Sequence, residues 1–395
     1  MKPRVCFLGS TQYALPLDPT AAKKFRALAT IADIWVVAFA RDVRPLRFTD
    51  HARFVLLPRA AWPIARQVMF FALAPAVVLG LVLRHRIEVI VAQSPYEGAA
   101  GALVKQLARC FGRRVALVVE SHGDFEVSLF LQRRVRAAGV YRRTMRWAVT
   151  YAGRHADVLR AVSRSTRTQL EACMPGRPVV EVVTWTDLEC FASRSQVERS
   201  PEPLVLYAGG LVPRKGVHHL VDAFARVVRA VPHAQLVLAG PAGNQGYASG
   251  LRSQVEAAGL ADRVVFLPAL PQIELAAWMR RAWVFALPTL SEGLPRVVIE
   301  AMAAGTPVVA SSVSGIPEVI DHGVTGYLVP AGDVAILASR LIEALRHPPH
   351  GLAMSARAAV RDRFSTRAYV AGYARMFDLS RGGSFHEERH APAPV

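Results

Sequence analysis

Two glutamates, Glu292 and Glu300, flank a glycine and a proline in SEGLPRVVIEAM (291–302), and a helix-like apolar run follows. Pro295 fits the first helical position, where its missing N–H does no harm. Leu294 before it cannot cap the helix with its side chain. The N–H groups of Arg296 and Val297, with the loop amides of Gly293 and Leu294, are therefore free for an anionic ligand. Gly305, with Pro307 just beyond, ends the helix. A carboxylate beside a phosphate would repel it. The two glutamates are thus expected to accept hydrogen bonds from neutral hydroxyls on either side of the anion. A second stretch, LVLYAGGLVPRKG (204–216), supplies the cations. Gly209 and Gly210 let backbone approach a ligand, and Arg214, Lys215 and Gly216 are expected to open a helix. Arginine grips phosphate with paired bonds, and lysine acts as a point charge. A solvated loop with a routine helix start would use the same residues. Together the two stretches fit a diphosphate with a sugar on each side, which describes a nucleotide-sugar.

These residues need elements to hold them. Apolar runs of strand length recur at 5–9, 34–40, 89–93, 115–120 and 158–163, then at 204–209, 236–240, 264–268, 284–288 and 308–312. They are rich in Val, Ile and Leu with little polar alternation, as in strands buried on both faces of a parallel sheet. Helical patterns separate them. One runs over 217–228, with Val217, Leu220, Val221, Phe224 and Val228 on one stripe, and another over 274–282. Strand and helix alternating twice over predict two doubly wound α/β domains. The first is placed at 1–190 and the second at 201–363. The polar stretch 191–204, with Pro201 and Pro203, forms the boundary. Residues 380–395 lack apolar periodicity and are expected to be disordered.

The 395 residues are 52% hydrophobic, which supports large cores and excludes a disordered chain. The apolar run at the N-terminus is too short for a secretory signal. Cys6, Cys110, Cys173 and Cys190 are scattered and form no CxxC pair, which points to a reducing cytoplasm and not to a disulfide framework or a zinc site. Of the net charge of +18, residues 1–190 carry +14. A basic surface serves nucleic acid, anionic lipid or a phosphorylated substrate, although plain decoration of exposed helices gives the same count. The uncharged run 68–83, interrupted by Pro75, is short for a membrane span and reads as a core helix. The segment 132–149 mixes arginines with Val135, Tyr141, Met145, Trp147 and Val149. That mixture suits an anionic bilayer surface, or an exposed basic helix over a phosphorylated acceptor.

The stretch SEGLPRVVIEAMAAGTPVVAS (291–311), followed by VSGIPEVIDHGVTGYLVPAGD (313–333), resembles the signature of glycosyltransferase family 4. Those are retaining transferases of GT-B fold with a Glu-x7-Glu motif. GGLVPRKG lies at the expected distance upstream, and the resemblance covers residues 200–345. The first half is similar more loosely, through ESHGDF (120–125) and RHADVLRAVS (154–163). The resemblance implies two Rossmann-like domains facing across a cleft, with a C-terminal helix over 364–379 crossing back to the first domain. It implies that Arg214 and Lys215 hold the donor diphosphate, that Glu292 contacts the transferred sugar and that Glu300 holds the ribose. Gly293 and Leu294 would offer amides, the segment from Leu267 to Leu270 would border the nucleobase, and His122 would approach the donor sugar from the first domain. It implies no cofactor and no metal ion, and no Asp-x-Asp triplet is present. Three features depart from the family. Gly209-Gly210 replaces the usual Gly-Arg. TWTDLECF (184–191) keeps Asp187 without the Asn-Gly. The first loop has only Gly9.

His122 alone reads equally as a structural histidine or as a cleft residue, and Asp124 more as a turn residue. The expected partners are a nucleotide-sugar and a glycan or lipid-linked acceptor of the cell envelope. The expected location is the cytoplasm, with the inner face of the plasma membrane as a candidate surface. A sugar-nucleotide epimerase of the same fold is the alternative enzyme. A basic nucleic-acid-binding protein is the alternative of another class, but no nucleic-acid motif supports it.

Overall fold

Each apolar run becomes a strand. β1 (Arg4–Tyr13), β2 (Asp33–Ala40), β3 (Leu46–Asp50), β4 (Ala52–Leu57), β5 (Val89–Ala92), β6 (Ala116–Ser121), β7 (Val158–Ala161) and β8 (Val179–Glu181) form one sheet in the order β3-β4-β2-β1-β5-β6-β7-β8. β9 (Leu204–Ala208), β10 (Gln235–Ala239), β11 (Val264–Leu267), β12 (Val284–Leu287), β13 (Val308–Ser311) and β14 (Tyr327–Val329) form the second, in the order β11-β10-β9-β12-β13-β14. The computed structural model describes residues 1–42, 44–123, 138–193, 197–348 and 350–383. All described pairings are parallel except β3 with β4. That edge hairpin was not foreseen. Its turn is made by His51 at φ 53, with neither glycine nor asparagine to announce it.

In both sheets the strand order reverses once, between β1 and β5 and between β9 and β12. Chain leaving neighbouring strands in opposite directions opens a crevice at their C-terminal ends, where doubly wound folds bind ligands. At the second reversal this crevice lies between the ends of β9 and β12, just where GGLVPRK and TLSEGLP begin.

Helices close both faces of the first sheet. Pro63–His85, Pro95–Cys110 and Ala138–His155 cover one face. Pro19–Leu28 and Thr366–Ser380 cover the other. Thr366–Ser380 follows the second domain in sequence but buries Tyr369, Tyr373, Met376 and Phe377 against the first. Full burial of one such side chain stabilises by about 1.5–3 kcal/mol, so the helix fastens the domains together. Ser365 caps it by accepting from the N–H of Ala368 at 3.1 Å. In the second domain, Val217–Ala230 buries the expected stripe, with Val227 completing it and Val228 only half-buried.

One expectation changes. The 68–83 run lies in one continuous helix, Pro63–His85, through Pro75, but only its Phe70, Ala74, Val78 and Val82 stripe enters the core. Residues 384–395 of the proposed tail, Asp124, and 132–137 of the basic segment lie outside the described residues.

Candidate active site

The cations come first. β9 runs into Gly209-Gly210, and Tyr207 donates its hydroxyl proton to the Gly210 carbonyl at 3.1 Å. Arg214 and Lys215 lie in a short 3-10 turn, Pro213–Lys215, and the α-helix starts only at Val217. They precede the helix they were expected to open. Gly216 separates the two elements at φ 63, and a Cβ there would stand 2.1 Å from the Pro288 carbonyl oxygen. Only glycine allows this turn to lie against the β12 loop. The loop closes the contact from its side. Leu290 donates its N–H to the Arg214 carbonyl at 2.9 Å, and Arg214 donates to the Ser291 carbonyl at 2.6 Å.

Glu292 sits between both cations. One carboxylate oxygen accepts from Lys215 Nζ, lies 3.2 Å from Arg214 and takes the Thr289 hydroxyl at 3.2 Å. The sequence placed Glu292 beside a sugar, apart from the phosphate-binding cations. A buried carboxylate must find partners, and these cations supply them. Arg214 Nε is buried without a partner. That donor is spare for an incoming anion.

The helix Arg296–Ala304 begins one residue later than expected, with Pro295 as its N-cap at ψ 115. No side chain caps it, and Gly305 ends it at φ 76. Glu300 is buried, with Arg296 at 3.5 Å. Burial raises the Glu300 pKa, and Arg296 opposes the shift. Leu294 is buried in the second-domain core, so of Leu294 only backbone can face a ligand.

The first domain meets this loop at Gly293. A Cβ on Gly293 would stand 1.9 Å from the His122 carbonyl oxygen, so only glycine lets the domains approach here. His122 itself is half-exposed, with Nε2 3.1 Å from a carboxylate oxygen of Glu120. Glu120 is buried and also meets Arg160 at 3.2 Å and the Tyr373 hydroxyl, which donates at 2.6 Å. Burial alone would raise the Glu120 pKa, but Arg160, His122 and Lys24 hold it well below the usual carboxylate range. The sequence reading missed Glu120, Arg160 and Tyr373. The available signal was a charge at the inner end of an apolar strand, which burial permits only with a partner.

A cavity of about 470 Å³ spans the domains, lined by His122, Arg160, Lys24, Arg296, Asp18 and Leu270 among others. Burial pushes Lys24 down to about 8. Leu270 therefore shares a cavity with His122, whereas Gly209, Gly210, Arg214, Lys215 and Glu292 do not line it. A larger space of about 970 Å³ lies beyond Trp185 and holds none of the predicted site residues. A second interdomain contact fixes the approach. Glu318 accepts from the N–H groups of Arg164 at 2.8 Å and Ser165 at 3.0 Å, across the domain boundary.

Residues 26–189 match the model of Glycosyltransferase Family 4, and residues 191–361 match Glycosyl transferases group 1. The chain is 32% identical over 292 residues to a GDP-mannose-dependent alpha-(1-6)-phosphatidylinositol monomannoside mannosyltransferase of Mycolicibacterium smegmatis, covering 69% of this chain and 71% of that one. It is 38% identical over 185 residues to a phosphatidyl-myo-inositol mannosyltransferase of Mycobacterium leprae, spanning 46% of this chain but only 47% of that relative. Among solved structures, sucrose-phosphate synthase from Thermosynechococcus elongatus superposes with a TM-score of 0.78 at 21% identity, over 95% of this chain and 98% of that one. Anabaena HepE in complex with UDP gives 0.73 at 22% identity, over 96% and 100%. With two Rossmann-like domains in the GT-B arrangement and these matches across both, the chain belongs to glycosyltransferase family 4.

Proposed function

We propose that this protein is a retaining glycosyltransferase that moves a sugar from a nucleoside-diphosphate-sugar to a hydroxyl of a lipid-linked or cell-envelope acceptor. The observation that carries this reading is the meeting of Arg214, Lys215 and Glu292 at the β9/β12 reversal, beside a helix start that no side chain caps. The donor diphosphate takes the two cations from Glu292 and uses the free Arg214 Nε. Glu292, released, accepts from the hydroxyls of the transferred sugar, and Glu300 accepts from the ribose. Charge develops on the leaving diphosphate, and fixed cations placed there lower the barrier. The leaving oxygen takes the acceptor proton on the same face of the sugar, which retains the anomeric configuration. His122, steadied by Glu120, faces the donor from the first domain. No cofactor or metal ion is assigned a role.

The acceptor reading draws on the relatives, whose names join mannosyl transfer to phosphatidyl-myo-inositol in one and to phosphatidylinositol monomannoside in the other. The cations Lys24 and Arg296 in the interdomain cavity suit an acidic acceptor. The test is release of nucleoside diphosphate from UDP-, GDP- and ADP-sugars by the purified protein, preceded by a thermal-shift screen with the same donors. One donor is expected to raise the melting temperature and to be turned over, with NMR showing a retained anomer. A chain that neither binds nor cleaves any of them, or that inverts the anomer, overturns the reading.

A further inference from the structure

The helix Pro63–His85 presents an unusual outer face. A helix covering a sheet buries one stripe and normally offers charge to water on the other. Here no charged residue occurs between Arg66 and Arg84, and only 28% of this most apolar stretch of the helix is buried. Trp62, Val68, Phe71 and Leu73 stand exposed along it, Trp62 by 78% and Val68 by 64%. The neighbouring helix Pro95–Cys110 continues the pattern with Leu103, Leu107 and, at its end, Phe111. Ala138–His155, beside it, adds Trp147, stacked on Tyr151 at 5.4 Å. These three helices lie side by side on one face of the first sheet. With their flanking residues Trp62 and Phe111 they hold eight of the fifteen large apolar side chains exposed among the described residues, and clustering of that kind marks a binding surface.

Charge selects the occupant. The only carboxylate on the three helices is Glu97, which is buried and accepts from the Ser10 N–H at 2.6 Å. Arg84, Arg109, Arg143 and Arg154 are exposed. An apolar face with cations, and with no exposed carboxylate among the described residues of its helices, complements an anionic bilayer. A second copy in an isologous dimer would set these cations against themselves. The helix cannot span the bilayer while the domain is folded, because Phe70, Ala74, Val78 and Val82 are packed in the core.

We infer that this three-helix face docks the protein on an anionic lipid bilayer, with Trp62, Val68, Phe71 and Leu107 entering the acyl boundary and the arginines meeting headgroups. The inference rests on the lipid-acceptor reading above, but its test measures binding and not turnover. The full chain is sedimented with vesicles of phosphatidylcholine alone and of phosphatidylcholine with phosphatidylglycerol. Binding is expected to the anionic vesicles, weakened by salt. Val68→Ser/Phe71→Ser/Leu107→Ser should lower the bound fraction at least tenfold with an unchanged melting temperature, and Arg109→Glu/Arg143→Glu should do so independently. Wild-type protein that stays in the supernatant, or a triple variant that binds like wild type, overturns the inference. A chain that is dimeric in light scattering and becomes monomeric as the triple variant overturns it too, assigning the face to a second copy. Vesicle binding lost in both variants, in a protein that releases no nucleoside diphosphate, upholds this inference while the proposed activity fails.

Discussion

Glu300 is held where its charge is unfavourable. Burial raises its pKa and Arg296 only partly offsets this, so the folded protein retains a proton that the unfolded chain has already released. Between the ordinary glutamate value of about 4.3 and the raised folded one, ligand-free stability therefore falls as pH rises. Glu300→Gln should stabilise the ligand-free protein by ~0.5–2 kcal/mol in thermal melts at neutral pH, while weakening donor binding. Glu120 behaves in the opposite sense. Its folded pKa is depressed, so its contribution is complete above about 4.3 and is lost as pH falls below that. Glu120→Ala leaves Arg160 buried without its carboxylate and should cost about 3–5 kcal/mol in denaturant unfolding. Lys215→Met is different again. Glu292 keeps Arg214, so the fold should survive, while kcat falls about 10²- to 10³-fold in a nucleoside-diphosphate release assay.

At the scale of elements, specific hydrogen bonds cross the domain boundary. The Arg164–Cys173 helix has its first N–H groups taken by Glu318 of the other domain, in addition to its own Ser163 cap. Glu318→Ala should cost about 0.5–2 kcal/mol and broaden the calorimetric transition as the domains uncouple. Strands buried on both faces were legible because each is a short unbroken apolar run bounded by turn residues, as in β5 and β12. The β3–β4 hairpin was not, since an edge strand alternates and carries Arg47 and Arg53 outward. The two loops proposed to hold the donor stand out as two sequence stretches, and the β9/β12 reversal explains why they meet. The Glu120–Arg160–Tyr373 cluster was not, because its members lie on three elements and only packing brings them together. The apolar stretch at 68–83 was read as core because hydropathy records length and composition. Which face turns inward depends on the sheet beneath it.

The whole molecule is tied together by its last described helix. Thr366–Ser380 covers one face of the first sheet, with Tyr373 bonded to Glu120 and Tyr369 5.1 Å from Trp185. A chain ending at residue 365 should expose that face, shift the tryptophan emission to the red and aggregate on heating. Soluble, wild-type-like behaviour of that truncation would show that the helix is dispensable. The same arrangement governs the order of synthesis. The first sheet is complete in sequence once β8 has been made, yet the helix that seals it arrives roughly 200 residues later, about 10–40 s at ribosomal rates of 5–20 residues per second. Throughout that interval Phe7, Val36 and Val118 have only part of their cover. The nascent first domain is therefore a natural client for chaperones until Thr366–Ser380 has been released.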